Sequence, residues 1–532
     1  MEVTLFLEAF NALSSNAARR RALDLLTDEL TPYEWRSLHS ILSANHFEFD
    51  IVGHLPVELV AHVFGYLTTS TPYTLQLVSK RWAHVLRSVA VLQASLDQWF
   101  DGPVPIQQAR YEDCLKQAQR IHAFRNGNIK NRYWLGFARG EQPESLQLQD
   151  DLLIWSPTSN LNDNLLYTRS VRALDLHNWK LRSFSGDARE KIWAFSASTD
   201  IIALATFANV CYVQELHGHG HKSFSVPGLG YFATVATRDR TVVCGRPARD
   251  HIEIYIWDFD SAVGKIVRFD HPPEFLQGVT DPECRHTHSW VLLPQPATRT
   301  IVVCADTTCT RQNVQQTCSA ITIPLIFSRY TYAGELLTTS HLPSSIATNA
   351  HLRTIHQPCF IPVGRPDLFK FRVELAQTTG PNATKWMRYL LQYDERENEI
   401  AIINGPIDGT MHKHNLTAWW KDTFYSCRQR KEDPNSVITL IGSSGEPAKV
   451  RTVLRDNHKK PIAPLFDTEI FLNERYVIRK TLGGMYIGCF EESPYRPAET
   501  GRAFDLGKLE VLMGDEKELT SRTSLFDDGV MY

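Results

Sequence analysis

Val171–Phe184, VRALDLHNWKLRSF, is the first of three related stretches. VCYVQELHGHGHKSF begins at Val210, and IEIYIWDFDSAVGKIVRF begins at Ile252. Each reads as an alternating strand, an acid near its end, a polar turn and a second strand closing on Phe. Asp175, Glu215 and Asp258 align at spacings of 40 and 43 residues. That period is one supersecondary unit, too small to bury both faces of its own sheet.

A 40-residue period of strands is the blade length of a four-stranded β-propeller. Trp257-Asp258 reproduces the dipeptide of WD repeats, without a Gly-His partner at the expected place. The other strands of these blades are Trp193–Phe195, Ile201–Leu204, Phe232–Val235 and Thr241–Cys244. Degenerate copies follow through Val291–Leu293, Ile301–Val303, Pro324–Phe327, Tyr389–Leu391, Glu399–Ile402 and Val437–Leu440, ending near Met485–Phe490. At about 45 residues per blade the expectation is six to eight blades, with about seven favoured. A pair of β-sandwiches is the alternative.

Upstream the pattern turns helical. Leu5, Phe6, Ala9, Phe10 and Leu13 share a helical face, and Thr31-Pro32-Tyr33-Glu34 is a capping box. Residues 54–86, HLPVELVAHVFGYLTTSTPYTLQLVSKRWAHVL, place Pro56 where its fixed φ opens a helix. Leu59, Val60, Val63, Phe64 and Leu67 then recur on one broad face. Thr71-Pro72 restarts the chain as a second helix with Leu75, Val78, Trp82 and Leu86. So much apolar surface on so few residues needs a cover, from this chain or from a partner.

The ordered set Leu55-Pro56-x-Glu58-Leu59, Phe64-x-Tyr66-Leu67 and Leu77–Trp82 resembles an F-box. The preceding arm has weaker similarity to fungal F-box proteins. The resemblance implies docking onto the Skp adaptor, and through it a cullin, of an SCF-type ubiquitin ligase. The implied adaptor contacts are Leu55, Pro56, Glu58, Leu59, Val63, Phe64, Leu67, Leu75, Val78, Trp82 and Leu86. Thr68–Pro72 departs from the usual apolar spacer, which leaves the start of the second helix open.

The expected organisation is an α+β multidomain chain: a helical arm (1–50), the F-box (51–100), a connector (101–150), a WD-like propeller (151–495) and a tail or partial closing strand (496–532). The 532 residues exceed one hydrophobic core. A net charge of −3 gives no support to a nucleic-acid surface or an anionic membrane patch. Ten scattered cysteines without a C-x-x-C fit a reducing compartment, cytoplasm or nucleus, and no stretch is long and apolar enough to span a bilayer.

Dedicated chemistry is sparse. His217, His219 and His221, with Cys284, His286, His288, Cys304 and Cys309, invite a metal reading, but alternating His-Gly lacks the backbone of a closed zinc site. No P-loop, nucleophile elbow or H-E-x-x-H is present, so no catalytic residue, metal or cofactor is expected. Arg246 and Arg249 are the candidate contacts to an acidic or phosphorylated target. The expected function is substrate recognition in a ubiquitin ligase. An F-box scaffold without ubiquitination and a propeller enzyme with accessory helices are the alternatives.

Overall fold

The computed structural model describes residues 2–13, 15–44, 51–67, 71–100, 110–137, 143–157, 168–187, 189–226, 232–248, 251–270, 285–310, 326–341, 350–355, 359–360, 368–380, 383–408, 416–420, 423–429, 436–443, 449–455, 469–480, 484–491 and 509–513. Nine helices among them precede the strands: α1 (Glu2–Asn11), α2 (Asn16–Asp28), α3 (Pro32–Ala44), α4 (Ile51–His54), α5 (Val57–Gly65), α6 (Thr71–Leu75), α7 (Lys80–Leu86), α8 (Val89–Phe100) and α9 (Tyr111–Asn126). The capping box forms: the Thr31 hydroxyl donates to Glu34 at 2.6 Å, and the Thr31 amide donates to the same carboxylate at 2.8 Å. Those bonds hold the Glu34 carboxyl below its ordinary pKa.

The described strands form seven sheets. The first six occupy 143–185, 192–225, 234–270, 285–341, 350–408 and 416–455, and most are four-stranded meanders. First strands of several neighbouring sheets touch, 192–197 with 234–238, 234–238 with 285–295, and 469–472 with both 416–420 and 143–149, which sets them around a common axis in a β-propeller. Polar side chains stitch them together. Gln147 donates to the Phe195 carbonyl at 3.3 Å and accepts from the Ala197 amide at 3.1 Å. The buried Ser196 and Thr237 hydroxyls meet at 3.0 Å.

Between sheets the core is aliphatic and aromatic. Ile154, Ala173 and Phe184 pack on Ile202 and Leu204, and Cys211 and Phe224 pack on Val242 and Trp257. Ile254 and Phe269 pack on Ile301 and Ile326. Neither face of a single sheet is covered from within, so each depends on the next.

The recurring acid turns out to be a turn former. The Asp175 carboxylate accepts the amides of His177 and Asn178 at 2.8 and 3.2 Å, and Asp258 accepts the Ser261 amide at 2.8 Å. Asp394 and the Thr331 hydroxyl do the same for Arg396 and Ala333. Each of these turns holds one residue with positive φ: Trp179, Ala262, Gly334 and Asn398. A short side chain that caps its own backbone selects this hairpin between the third and fourth strands.

The seventh sheet corrects the expected domain boundaries. Its strands 469–472, 476–480 and 484–489 are completed by Asn131–Phe137 from the far end of the chain, and Leu509–Met513 adds outside that. The expected connector thus contributes a blade strand, and the border at residue 150 falls inside the first sheet, between 143–149 and 152–157. The expected tail contributes a closing strand. The second F-box helix is also split, because the Ser79 hydroxyl accepts the Trp82 amide at 3.0 Å and starts α7 afresh.

Gly334 has φ +98°, and a Cβ there would meet the Arg268 carbonyl oxygen at 2.8 Å on the neighbouring sheet. Gly334→Ala is expected to cost more than about 1 kcal/mol, read as a lowered urea midpoint. An unchanged midpoint would show that the turn and its neighbour yield freely.

Candidate functional site

Helices α4 to α8 surround a small core in which Val60, Phe64, Leu86 and Val91 are buried, with Val52, Leu55, Leu75, Trp82 and Val85 packed at its edge. In α5 the steps 60/64 and 59/63 point to different sides of the helix. Phe64 is 1% exposed and Leu86 is fully buried, whereas Leu59 is 51% and Val63 44% exposed. Leu67, Tyr66 and Val78 continue the outward strip, and Leu77 is 92% exposed. Pro56 and Glu58 are exposed at its start.

The eleven residues named from sequence therefore divide. Pro56, Glu58, Leu59, Val63, Leu67 and Val78 face out; Leu55, Leu75 and Trp82 are half-buried; Phe64 and Leu86 hold the helices together. The last two cannot touch a partner unless this core opens. Tyr66 and Leu77, part of the ordered set quoted from sequence but outside those eleven, are exposed as well. Leu77 ends the stretch before the Ser79 cap, and recognising that cap as a helix start would have placed Leu77 in an exposed turn.

The helical unit is welded to the propeller. Leu92, Leu96 and Trp99 of α8 and Cys114, Ile121 and Phe124 of α9 share one core with Ala418, Tyr425, Ile470, Val477 and Phe490. The Tyr425 hydroxyl donates to the Phe124 carbonyl. Arg120, almost buried, lies between Glu474 at 2.6 Å and Glu491 at 3.2 Å, and the Trp99 indole N–H donates to Glu474 at 3.1 Å. A buried cation between two carboxylates fixes the register of α9 as well as its attachment.

The other candidate residues carry structural roles. Arg246 is ion-paired with Glu253 on the adjacent strand, and this bond holds the Glu253 carboxyl below its usual range. Its guanidinium is thereby committed within the sheet, while Arg249 lies outside the described residues. In the His-Gly turn a Cβ at Gly218 or Gly220 would strike the Glu215 carboxylate at 2.0 or 2.8 Å. The glycines make room for Glu215, which accepts the Gly220 amide at 3.0 Å and pairs with Arg240 at 2.8 Å. No three His, Cys, Asp or Glu side chains converge among the described residues. Cys304 is buried in a strand, which pushes its thiol pKa up; Cys284 and the side chains of His286, His288 and Cys309 lie outside the described residues. No helix among the described residues is long and apolar enough to cross a membrane.

An apolar helical module fused to a propeller is the architecture of an interaction protein. Residues 52–92 match the F-box-like family model, so the chain carries an F-box-like domain ahead of its β-propeller. No curated protein matches the chain. Among solved structures it is similar to a chain of the mitotic checkpoint complex, at 9% identity over 67% of this chain and 91% of that one, with a TM-score of 0.38. It is also similar to the β-propeller domain of the trilobed protease from Pyrococcus furiosus, at 12% identity over 67% and 98%, TM-score 0.37. The WD40 domain of SCAP from fission yeast matches at 10% identity over 68% and 99%, TM-score 0.35.

Replacing Arg120 by Met removes the cation between Glu474 and Glu491, with only the more distant Arg475, 3.9 Å from Glu491, left beside them. The expected loss is about 3–5 kcal/mol in urea unfolding, with earlier proteolytic cleavage between the helical unit and the propeller. Wild-type stability in Arg120→Met would show that the junction rests on its apolar contacts alone.

Proposed function

We propose that this chain is the substrate-recognition subunit of an SCF-type ubiquitin ligase, non-catalytic itself, working in cytoplasm or nucleus. The observation that carries the reading is the outward strip of Leu59, Val63, Leu67, Leu77 and Val78 on an F-box-like domain whose own core is already complete. Exposed aliphatic side chains at helical spacing fit an apolar partner groove. The Skp adaptor is the proposed occupant, bringing a cullin with it. Pro56, Glu58 and Tyr66 flank the strip, and Leu55, Leu75 and Trp82 set its rear.

The propeller is the proposed platform for a target protein. In antiparallel meanders the first–second and third–fourth connections lie at one end, and the remaining ones at the other. The helical unit enters at the end with short turns, such as 149–152, 238–241, 258–263 and 472–476. At the opposite end the described strands are separated by longer stretches of sequence, 157–170, 270–285, 310–326 and 455–469, most of whose inner residues lie outside the described ones. Connections on a rigid scaffold are where recognition residues concentrate. Arg246 lies toward that end with its charge offset by Glu253, while Arg249 lies outside the described residues. A target held there, on a body rigidly joined to the F-box-like helices, would be kept at high effective concentration near the transferring enzyme.

Leu59→Glu and Leu77→Glu replace exposed side chains, so the unfolding temperature should stay within a degree or two, as expected for surface changes of about 0.5 kcal/mol. Affinity for the purified Skp adaptor, read by calorimetry, should fall by roughly a hundredfold, as for loss of interface anchors. Phe64→Ala should instead lower the stability of the helical unit by about 3–5 kcal/mol. Unchanged adaptor affinity in both Glu variants would end the ligase reading.

A further inference from the structure

Strand 131–137 is the outer strand of the seventh sheet, and Leu509–Met513 is laid along its far side. The other six sheets end at their outer strands, 180–185, 221–225, 263–270, 336–341, 399–408 and 449–455, with no further strand among the described residues. The seventh sheet is already four-stranded once 131–137 joins 469–472, 476–480 and 484–489. Leu509–Met513 is therefore surplus to the blade, and the ring closes without it.

This pairing is antiparallel and peripheral, running from Phe137 opposite Leu509 to Tyr133 opposite Met513. A short edge strand has one neighbour, so its release breaks one ladder and is the smallest opening the blade can make. Strand addition at a sheet edge draws affinity from main-chain hydrogen bonds and selectivity from the added side chains. The resident strand states which chemistry this edge accepts: Leu509, Glu510, Val511, Leu512 and Met513, followed in sequence by Asp515, Glu516 and Glu518. The register points the C-terminal end of that strand toward the end of 131–137 that carries Lys130 and Arg132 in sequence. Acids after the strand and bases before its partner are complementary.

We propose that the outer edge of 131–137 is a strand-exchange site, occupied by the chain's own residues 509–513 and open to an extended aliphatic segment of a partner protein that has acidic residues behind it. Strand 131–137 follows α9, so the partner would be held beside the helical unit. The proposal does not rest on the ligase reading, because the strip on α5 and its neighbours is a different surface.

The probe is a fluorescent peptide of residues 508–519, KLEVLMGDEKEL, added to the full chain and read by anisotropy. Val511→Pro with Leu512→Pro in the chain removes amide donors from the resident strand. By emptying the edge it should raise probe affinity by roughly tenfold or more. The same two prolines in the probe should abolish binding, and Lys in place of its three trailing acids should weaken it by roughly tenfold. Thermal unfolding of the double-proline chain should match the wild type. In native-state hydrogen exchange the wild-type amides of 509–513 should exchange about a hundredfold faster than those of 484–489. Equal protection of the two strands would make 509–513 a fixed part of the blade and overturn the proposal, whether or not the double-proline chain folds. Probe affinity unchanged by the chain's prolines, or undiminished by the probe's own, would overturn it as well. Wild-type sedimentation at twice the monomer mass, lost in the double-proline chain, would give the edge to a second copy in place of a partner protein. Leu59→Glu should leave probe binding intact, which separates this test from that of the ligase reading.

Discussion

The pairing of Asn131–Phe137 with Gly484–Cys489 is the constraint on which the rest of the molecule depends. It joins two segments from opposite ends of the propeller sequence, and it completes the seventh sheet. Because strand 131–137 follows α9 directly, the same ladder anchors the helical unit. The Lys130 amide donates to the Cys489 carbonyl at 2.8 Å, and Arg120 is clamped nearby between Glu474 and Glu491. Ring closure and helical attachment are one event, so the F-box-like domain cannot swing freely about the propeller without opening a blade.

That rigidity gives meaning to the way the F-box-like helices distribute their apolar residues. Val60, Phe64, Leu86 and Val91, from α5, α7 and α8, form the buried centre of the five helices α4 to α8. Leu59, Val63, Leu77 and Val78 are left over, and all lie outward. Exposed side chains on a mobile module would lose orientation on binding. On a body fixed to the propeller, the direction of the helical strip relative to the sheets is set in advance, and less ordering would remain to oppose any association.

The parts of this structure legible in sequence were local. The propeller repeat showed because the third–fourth turns carry a polar residue that caps the backbone, a short one at Asp175 and Asp258 and a longer one at Glu215. The capping box at Thr31 and the helical periodicity of α5 showed for the same reason. What stayed hidden needed distant partners. Residues 131–137 look like a short apolar run until strand 484–489 is set beside them, and nothing nearby in sequence names that strand. Which of Leu59 and Val60 faces inward was ambiguous because both fall within one wide apolar stripe, and only packing of α5 on α8 divides it. Arg246 read as a free cation because Glu253, seven residues on, becomes its neighbour only through the hairpin ladder.

The closing strand also sets an order of events during synthesis. Residues 131–137 leave the ribosome long before 484–489 exist, and at about 5–20 residues per second the wait is roughly 20–70 s. Throughout it, the F-box-like helices are already complete in sequence while the strand beside them is an open edge, ready to pair with any other chain. The newborn protein can therefore meet a partner of its helical end before its propeller exists. A nascent-chain chaperone, or early capture of that end, would shield the edge until the last blade arrives to claim it.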